Sequence, residues 1–238
     1  MLRSDTTAFR ATTSHHRDLA HTVLSTTYAQ EKQWVDSARD VFPAGDLSDD
    51  AVTWIVATVD DEPAGVVRIH YAPPLHRYQE YGLESLGGDG HSGDGHSGDG
   101  HSDGSPSFGG AGVDAFIRDN DIAEIGRFAV LPAYRHRIRV VFWLMRMAGV
   151  DTLERGYSHY VTDVFEGEEH SPYNFHTRVL GFRPVATHEM GEMDCLHRRI
   201  TLILNLKQAY RRLRKTKNRL YRFLAEGLSP QVRRQLSA

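Results

Sequence analysis

Runs of apolar residues separated by polar turns divide most of the chain into short elements. Thr53-Trp54-Ile55-Val56-Ala57-Thr58-Val59 and Gly65-Val66-Val67-Arg68-Ile69-His70-Tyr71 flank Asp60-Asp61-Glu62-Pro63, a pattern that predicts a hairpin. Both strands are apolar on both faces, as a sheet covered by helices requires. Ala123 to Val130 reads as a further strand stopped by Leu131-Pro132. Arg139 to Arg155 carries Val141, Phe142, Leu144, Met145 and Ala148 and predicts an apolar helix, with Gly156 closing it. Then follow a strand over Ser158 to Phe165, a short helix over Ser171 to Leu180, the turn Gly181-Phe182, and strands over Arg183 to His188 and Leu196 to Leu204. Upstream, Leu19 to Val35 reads as a mostly polar helix, and the whole series predicts an α/β domain.

Two segments depart from this pattern. From Gly87 to Gly112 there is no apolar side chain before Phe108, and Gly-Asp-Gly-His-Ser repeats in tandem from Gly88 to Ser102. Such a stretch cannot offset the entropy of ordering and is expected to be a disordered insertion. His91, His96 and His101 recur beside Asp89, Asp94 and Asp99, a metal-like composition, but chelation would require a floppy segment to be immobilised, and no metal is expected. From Lys207 onward, Leu206, Tyr210, Leu213, Leu220 and Leu224 at helical spacing among basic residues predict a basic amphipathic helix. The expected organisation is therefore a flexible N-terminus over 1–15, a domain over 16–204 carrying the 87–112 insertion, and a helical tail over 205–238.

Composition narrows the class. The 238 residues are 40% hydrophobic and 25% charged, an ordinary globular balance. Cys195 is the single cysteine, so a disulfide-stapled module and a Cys-based zinc site are excluded. The N-terminus lacks a signal-peptide apolar core, and no apolar run reaches the ~18–20 residues of a membrane span, so a cytoplasmic protein, at most peripheral to the inner membrane, is expected. The formal charge of −3 conceals an asymmetry: from Lys207 on, ten basic residues face only Glu226, giving about +9 and leaving about −12 for the rest. The tail suits an acidic protein partner or an anionic membrane surface. Thin aromatic interleaving and the lack of a reader motif argue against nucleic acid.

Chemistry concentrates where the strand ending Phe128-Ala129-Val130 meets the apolar helix through Leu131-Pro132-Ala133-Tyr134-Arg135-His136-Arg137. A strand-to-helix turn presents backbone N–H groups and the positive end of a helix dipole to an anion, and Arg135, His136, Arg137 and Arg139 add charge there. This order of elements, with Val130-Leu131-Pro132-Ala133-Tyr134-Arg135 and Leu180-Gly181-Phe182, resembles the GNAT N-acyltransferase superfamily over roughly Val52 to Leu204. The resemblance implies a mixed, mostly antiparallel sheet flanked by helices, with a coenzyme A or carrier-protein thioester held by Phe128, Ala129, Val130 and Arg135 to Val140. Ile138 and Val140 stand where the superfamily usually has two glycines, which brings a carrier-protein donor, with its single phosphate, into view.

A second resemblance is to the acyl-homoserine-lactone synthase family, a GNAT-like group that includes relatives making N-acyl amino acids. Its pattern of an aromatic residue, a Trp, Asp-x-x-Asp, an Arg on a strand and Glu-x-x-Arg-Phe is matched by Tyr28, Trp34, Asp46-Leu47-Ser48-Asp49, Arg68 and Glu124-Ile125-Gly126-Arg127-Phe128, while Leu24 replaces the family's Arg. Attack on a thioester needs a neutral amine, so Glu124 is expected as general base, directly or through a water. Arg127, three residues on, belongs on the opposite face of a regular strand and is expected to orient the acceptor or pair with Asp46 or Asp49. Trp34, Arg68 and Asp163 are further acceptor candidates, and Tyr173 and His176 are the candidate acids for the leaving thiolate. The expected activity is acyl transfer from a coenzyme A or carrier-protein thioester to a primary amine of a small molecule or amino acid. A non-catalytic acyl-thioester-binding regulatory module and an S-adenosylmethionine-using lactone synthase are the alternatives.

Overall fold

The computed structural model describes residues 5–71, 84–85, 116, 120–189, 193, 195, 197–216 and 219–237. Strand β1 (Thr6–Arg10) lies antiparallel on β2 (Val52–Val59), with Thr6 opposite Val59 and Arg10 opposite Ile55, so the expected flexible N-terminus is an ordered sheet edge from Thr6. Helix α1 (Ser14–Leu24) starts at Thr13, whose hydroxyl accepts from His16 N–H. It does not run on to Val35: Ser25–Glu31 widens into a π-helical turn, and Trp34 N–H closes back on Tyr28 O. After the single turn of α2 (Ala38–Val41), β2 pairs with β3 (Glu62–His70) across the expected hairpin.

The remaining strands are β4 (Glu84–Ser85), β5 (Ile122–Val130), β6 (His159–Phe165), β7 (Arg183–His188) and β8 (Arg199–Asn205), and α3 (Ile138–Glu154) joins β5 to β6. The eight strands lie in the order β1-β2-β3-β5-β6-β8-β7-β4. Every pairing is antiparallel except β5 with β6, so the mixed, mostly antiparallel sheet is present. The Gly/Asp/His/Ser repeat lies outside the described residues, within the connection from β3 to β5.

Alternation along the strands separates two cores. Trp54, Val56, Val66 and Ala129 face α1, packing with Val23, Leu24 and Phe42. Ile55, Val67, Ile69, Ile125 and Val130 face α3 and its Val140, Leu144 and Ala148. The basic tail is three short helices rather than one: α4 (Leu206–Lys215), α5 (Arg219–Ala225) and α6 (Pro230–Ser237). Their apolar stripe is already used, since Leu206, Leu213, Leu220, Leu224, Leu228, Val232 and Leu236 are buried with Tyr160, Leu202 and Leu204 on the α3 side. No helix among the described residues is long and apolar enough to cross a membrane.

Candidate active site

A β-bulge opens the site. Val66 pairs with Ala129 and Arg68 with Gly126, so Val67 alone stands against Arg127 and Phe128, and Arg127 takes a left-handed φ of 52°. The extra residue inverts the alternation: Ile125 and Val130, five apart, both face α3. Arg127 is therefore not simply turned to the face opposite Glu124, as a regular strand would demand. Gly126, a glycine inside a strand, was the available sequence signal.

Just before the bulge β5 parts from β6. Their parallel pairing runs only from Ile122↔His159 to Glu124↔Val161, and the fork between Ile125–Val130 and Thr162–Phe165 opens a cavity of about 370 Å³. Tyr28 and Trp34 wall it from the π-helical segment and its exit, with Trp34 tilted against both Tyr28 and Phe165 at ring separations of 5.4 and 4.5 Å. The Tyr28 hydroxyl donates to Phe128 O at 3.2 Å, pinning the bulge carbonyl. Burial pushes that phenol up to about 12, against the pull of the Arg127 and Arg68 charges, so it stays a donor.

Two ion pairs tie the same segment across the cavity mouth. Glu31 accepts from both terminal nitrogens of Arg135, at 2.7 and 2.5 Å, and its carboxyl is held below the usual range chiefly by that hydrogen bond. Lys32 pairs with Glu168 in the loop after β6 and donates to Glu169 O at 3.1 Å.

The expected site residues are distributed as follows. Phe128, Ala129, Val130, Arg127, Arg135, Ile138, Trp34, Asp163 and His176 line the cavity. His136, Arg137 and Arg139 are absent from its walls, and the Val140 side chain is buried in the α3 core, so only its backbone could meet a donor. Asp46 Oδ2 accepts from Trp54 Nε1 at 2.7 Å, and Asp49 Oδ1 accepts from Ala51 N–H at 2.8 Å, before β2. Glu124 is not on the wall either. Its Oε1 accepts from Arg68 Nη2 at 2.7 Å, and it sits behind Gly126, where an added Cβ would lie 3.6 Å from the carboxylate.

The two acid candidates also change character. The expected short helix over Ser171–Leu180 is largely a π-helical turn, Phe175–Leu180, closed by Gly181 at φ 92°. Tyr173 is absent from the cavity wall and packs against the α3-side core, and its carbonyl accepts from Thr177. His176 lines the cavity but is buried, and desolvation pushes its imidazole down to about 4 despite a 2.8 Å bond from Nδ1 to Pro172 O. It is a neutral ring at neutral pH, with Nδ1–H donated and Nε2 left as an acceptor. Among the described residues, no cluster of three or more His, Cys, Asp or Glu side chains could hold a metal ion.

Asp163 is set by groups the sequence did not reveal. Thr201 donates to Oδ1 at 2.7 Å from the facing position on β8, and His188 Nε2 on β7 lies 3.2 Å from Oδ2. Neither partner is near Asp163 in sequence, and nothing local to Thr201 or His188 marks them.

No protein-family model matches the chain, and no curated protein matches it in sequence. Solved structures do match it in three dimensions. FeeM, an N-acyl amino acid synthase from uncultured soil microbes, aligns over 93% of this chain and 99% of its own, with 16% identity and a TM-score of 0.58. A Desulfovibrio desulfuricans protein assigned to the GNAT acetyltransferases aligns over 85% and 99%, with 13% identity and a TM-score of 0.54. An aminoglycoside 6'-N-acetyltransferase complexed with coenzyme A aligns over 85% and 97%, with 12% identity and a TM-score of 0.51. On these likenesses the chain has the fold of the GNAT N-acyltransferases.

Proposed function

We propose that the protein transfers an acyl group from a coenzyme A or carrier-protein thioester to the primary amine of a small molecule. The observation that carries the reading is the cavity at the β5–β6 fork, where a bulged strand meets the start of α3. On the unpaired edge of β5, Tyr28 engages Phe128 O and Arg135 Nε engages Val130 O, while backbone N–H groups of the same stretch polarise the thioester carbonyl. Phosphate at the α3 N-terminus would compete with Glu31 for Arg135.

Glu124 takes a proton from the acceptor through a water over Gly126, where the missing side chain leaves room for it. The neutral amine attacks the carbonyl carbon, the C–S bond breaks with its electron pair going to sulfur, and the thiolate takes the second nitrogen proton. No protein acid is required, in keeping with the neutral His176 and with Tyr173 lying off the cavity wall. Thiol release from octanoyl-coenzyme A with a panel of primary amines tests this. Glu124→Gln is expected to lower turnover about 10²–10³-fold, and an unchanged rate would remove Glu124 from the mechanism.

The carrier-protein donor is supported by the exposed basic residues of α4–α6. Changing Lys215 and Arg222 to Glu is expected to raise KM for an acyl-carrier-protein thioester about tenfold and leave that for the coenzyme A thioester in place. A binding module without turnover is favoured by one observation, the closed Glu31–Arg135 pair at the mouth. Donor binding with no thiol released by any amine would decide for it.

A further inference from the structure

The Asp163–His188–Thr201 group sits on the cavity side of β6–β8–β7 and has no part in the scheme above. The register puts Thr201 directly opposite Asp163, and Thr201 is fully buried. The His188 side chain is wholly inaccessible, whereas Asp163 keeps 26% of its side chain exposed and lines the cavity. Thr201 Oγ1–H donates to Oδ1, and His188 Nε2 stands 3.2 Å from Oδ2, close but outside hydrogen-bond geometry. Each oxygen has a further lone pair, and the exposed part of the group faces the cavity. A half-buried carboxylate held by a donor on Oδ1 and flanked by an imidazole at Oδ2, with acceptor capacity left toward a mostly apolar space, is built to receive a further donor.

The surroundings specify that donor. Glu124 projects from the same side of the sheet, because Glu124 pairs with Val161 in parallel register and Asp163 lies two residues beyond Val161. Trp34 and Phe165 close the space with aromatic surface, and Arg199 over the far face of this wall, 5.1 Å from the Phe165 centroid, is occupied by Glu189 O and Met193 O. We infer that Asp163 is the docking point for a primary ammonium carried on an apolar body, and that His188 is a positioning residue that fixes the Asp163 carboxylate. This deepens the acyl-transfer reading by giving the acceptor a class: a cationic amine, recognised as ammonium before it gives up a proton.

Direct binding tests this without turnover. Isothermal titration of the full chain compares phenethylamine with 2-phenylethanol, which differs in lacking the charge. The wild type is expected to prefer the ammonium about tenfold or more, the worth of one hydrogen bond to a charged group. Asp163→Asn is expected to abolish the preference, His188→Leu to weaken it, and His188→Gln, which keeps a donor on the side chain, to restore most of it. A wild type with no preference, or an Asp163→Asn protein that keeps it, overturns the assignment; equal losses in His188→Leu and His188→Gln overturn the positioning role. A retained ammonium preference together with no thiol release would overturn acyl transfer and leave this site standing.

Discussion

Arg127 carries its side chain in a backbone conformation that ordinary residues avoid, at a cost of about 1 kcal/mol for a non-glycine in the left-handed region. The bulge imposes it, so substitutions at 127 separate backbone from charge. Arg127→Gly and Arg127→Val lose the same guanidinium, but only Val adds β-branching to a positive φ. Val is expected to be about 1–2 kcal/mol less stable than Gly by urea denaturation; equal stabilities would mean that the bulge relaxes. His176 gives a second test. Its folded-state value, near 4, lies below the ordinary 6.5, so between these the unfolded chain binds a proton that the native one does not. Stability from this group is complete above pH 6.5, falls as the pH drops toward 4, and levels off below, an effect of at most about 3 kcal/mol. Urea midpoints from pH 7.5 to 4.5 are expected to fall less steeply in His176→Asn than in the wild type.

At the level of elements, the apolar runs of the hairpin, β5, α3 and β6 set their places to within one to three residues, because each buries most of its length. The departures share a cause. Both π-helical segments, Ser25–Glu31 and Phe175–Leu180, carry side chains that a regular helix would carry equally well, and the wide turn is set by what they cover. The ion pairs holding the first segment join residues 104 and 136 positions apart, beyond any local pattern. Glu124 and Arg127 were legible as candidates through motif order and Asp163 through its place on the strand after α3, and many of the expected residues do reach the wall, whereas the bulge and the fork that keep Glu124 off it were not legible. Gly181 ends the second π-helical segment at φ 92°, and an added Cβ would meet the Arg212 guanidinium at 2.5–2.7 Å. Arg212 can swing away, but it would lose its bond to Val179 O, and the strain at φ 92° would remain. Gly181→Ala is expected to cost about 1–2 kcal/mol, read as a lower thermal midpoint.

For the whole molecule, the basic tail reads differently in structure than in sequence. Its charge is outside, but its leucines are the roof over β6 and β8. At about 1.5–3 kcal/mol per buried apolar side chain, the seven aliphatic residues from Leu206 to Leu236 represent about 10–20 kcal/mol, comparable to the whole 5–15 kcal/mol by which a domain is ordinarily stable. Truncation after Asn205 is therefore expected to abolish cooperative unfolding by circular dichroism, whereas neutralising the exposed Arg214 and Lys215 to Gln leaves it intact. An apolar stripe spent in this way is not available to enter a bilayer, and only the charged outer surface is left for a partner. The same roof sets a timetable for synthesis. Every strand leaves the ribosome before residues 206–236, so half the sheet waits with one side bare and cannot be sealed by anything made earlier. Chaperone capture of nascent chains should accordingly concentrate in the interval between the appearance of β8 and that of Leu236.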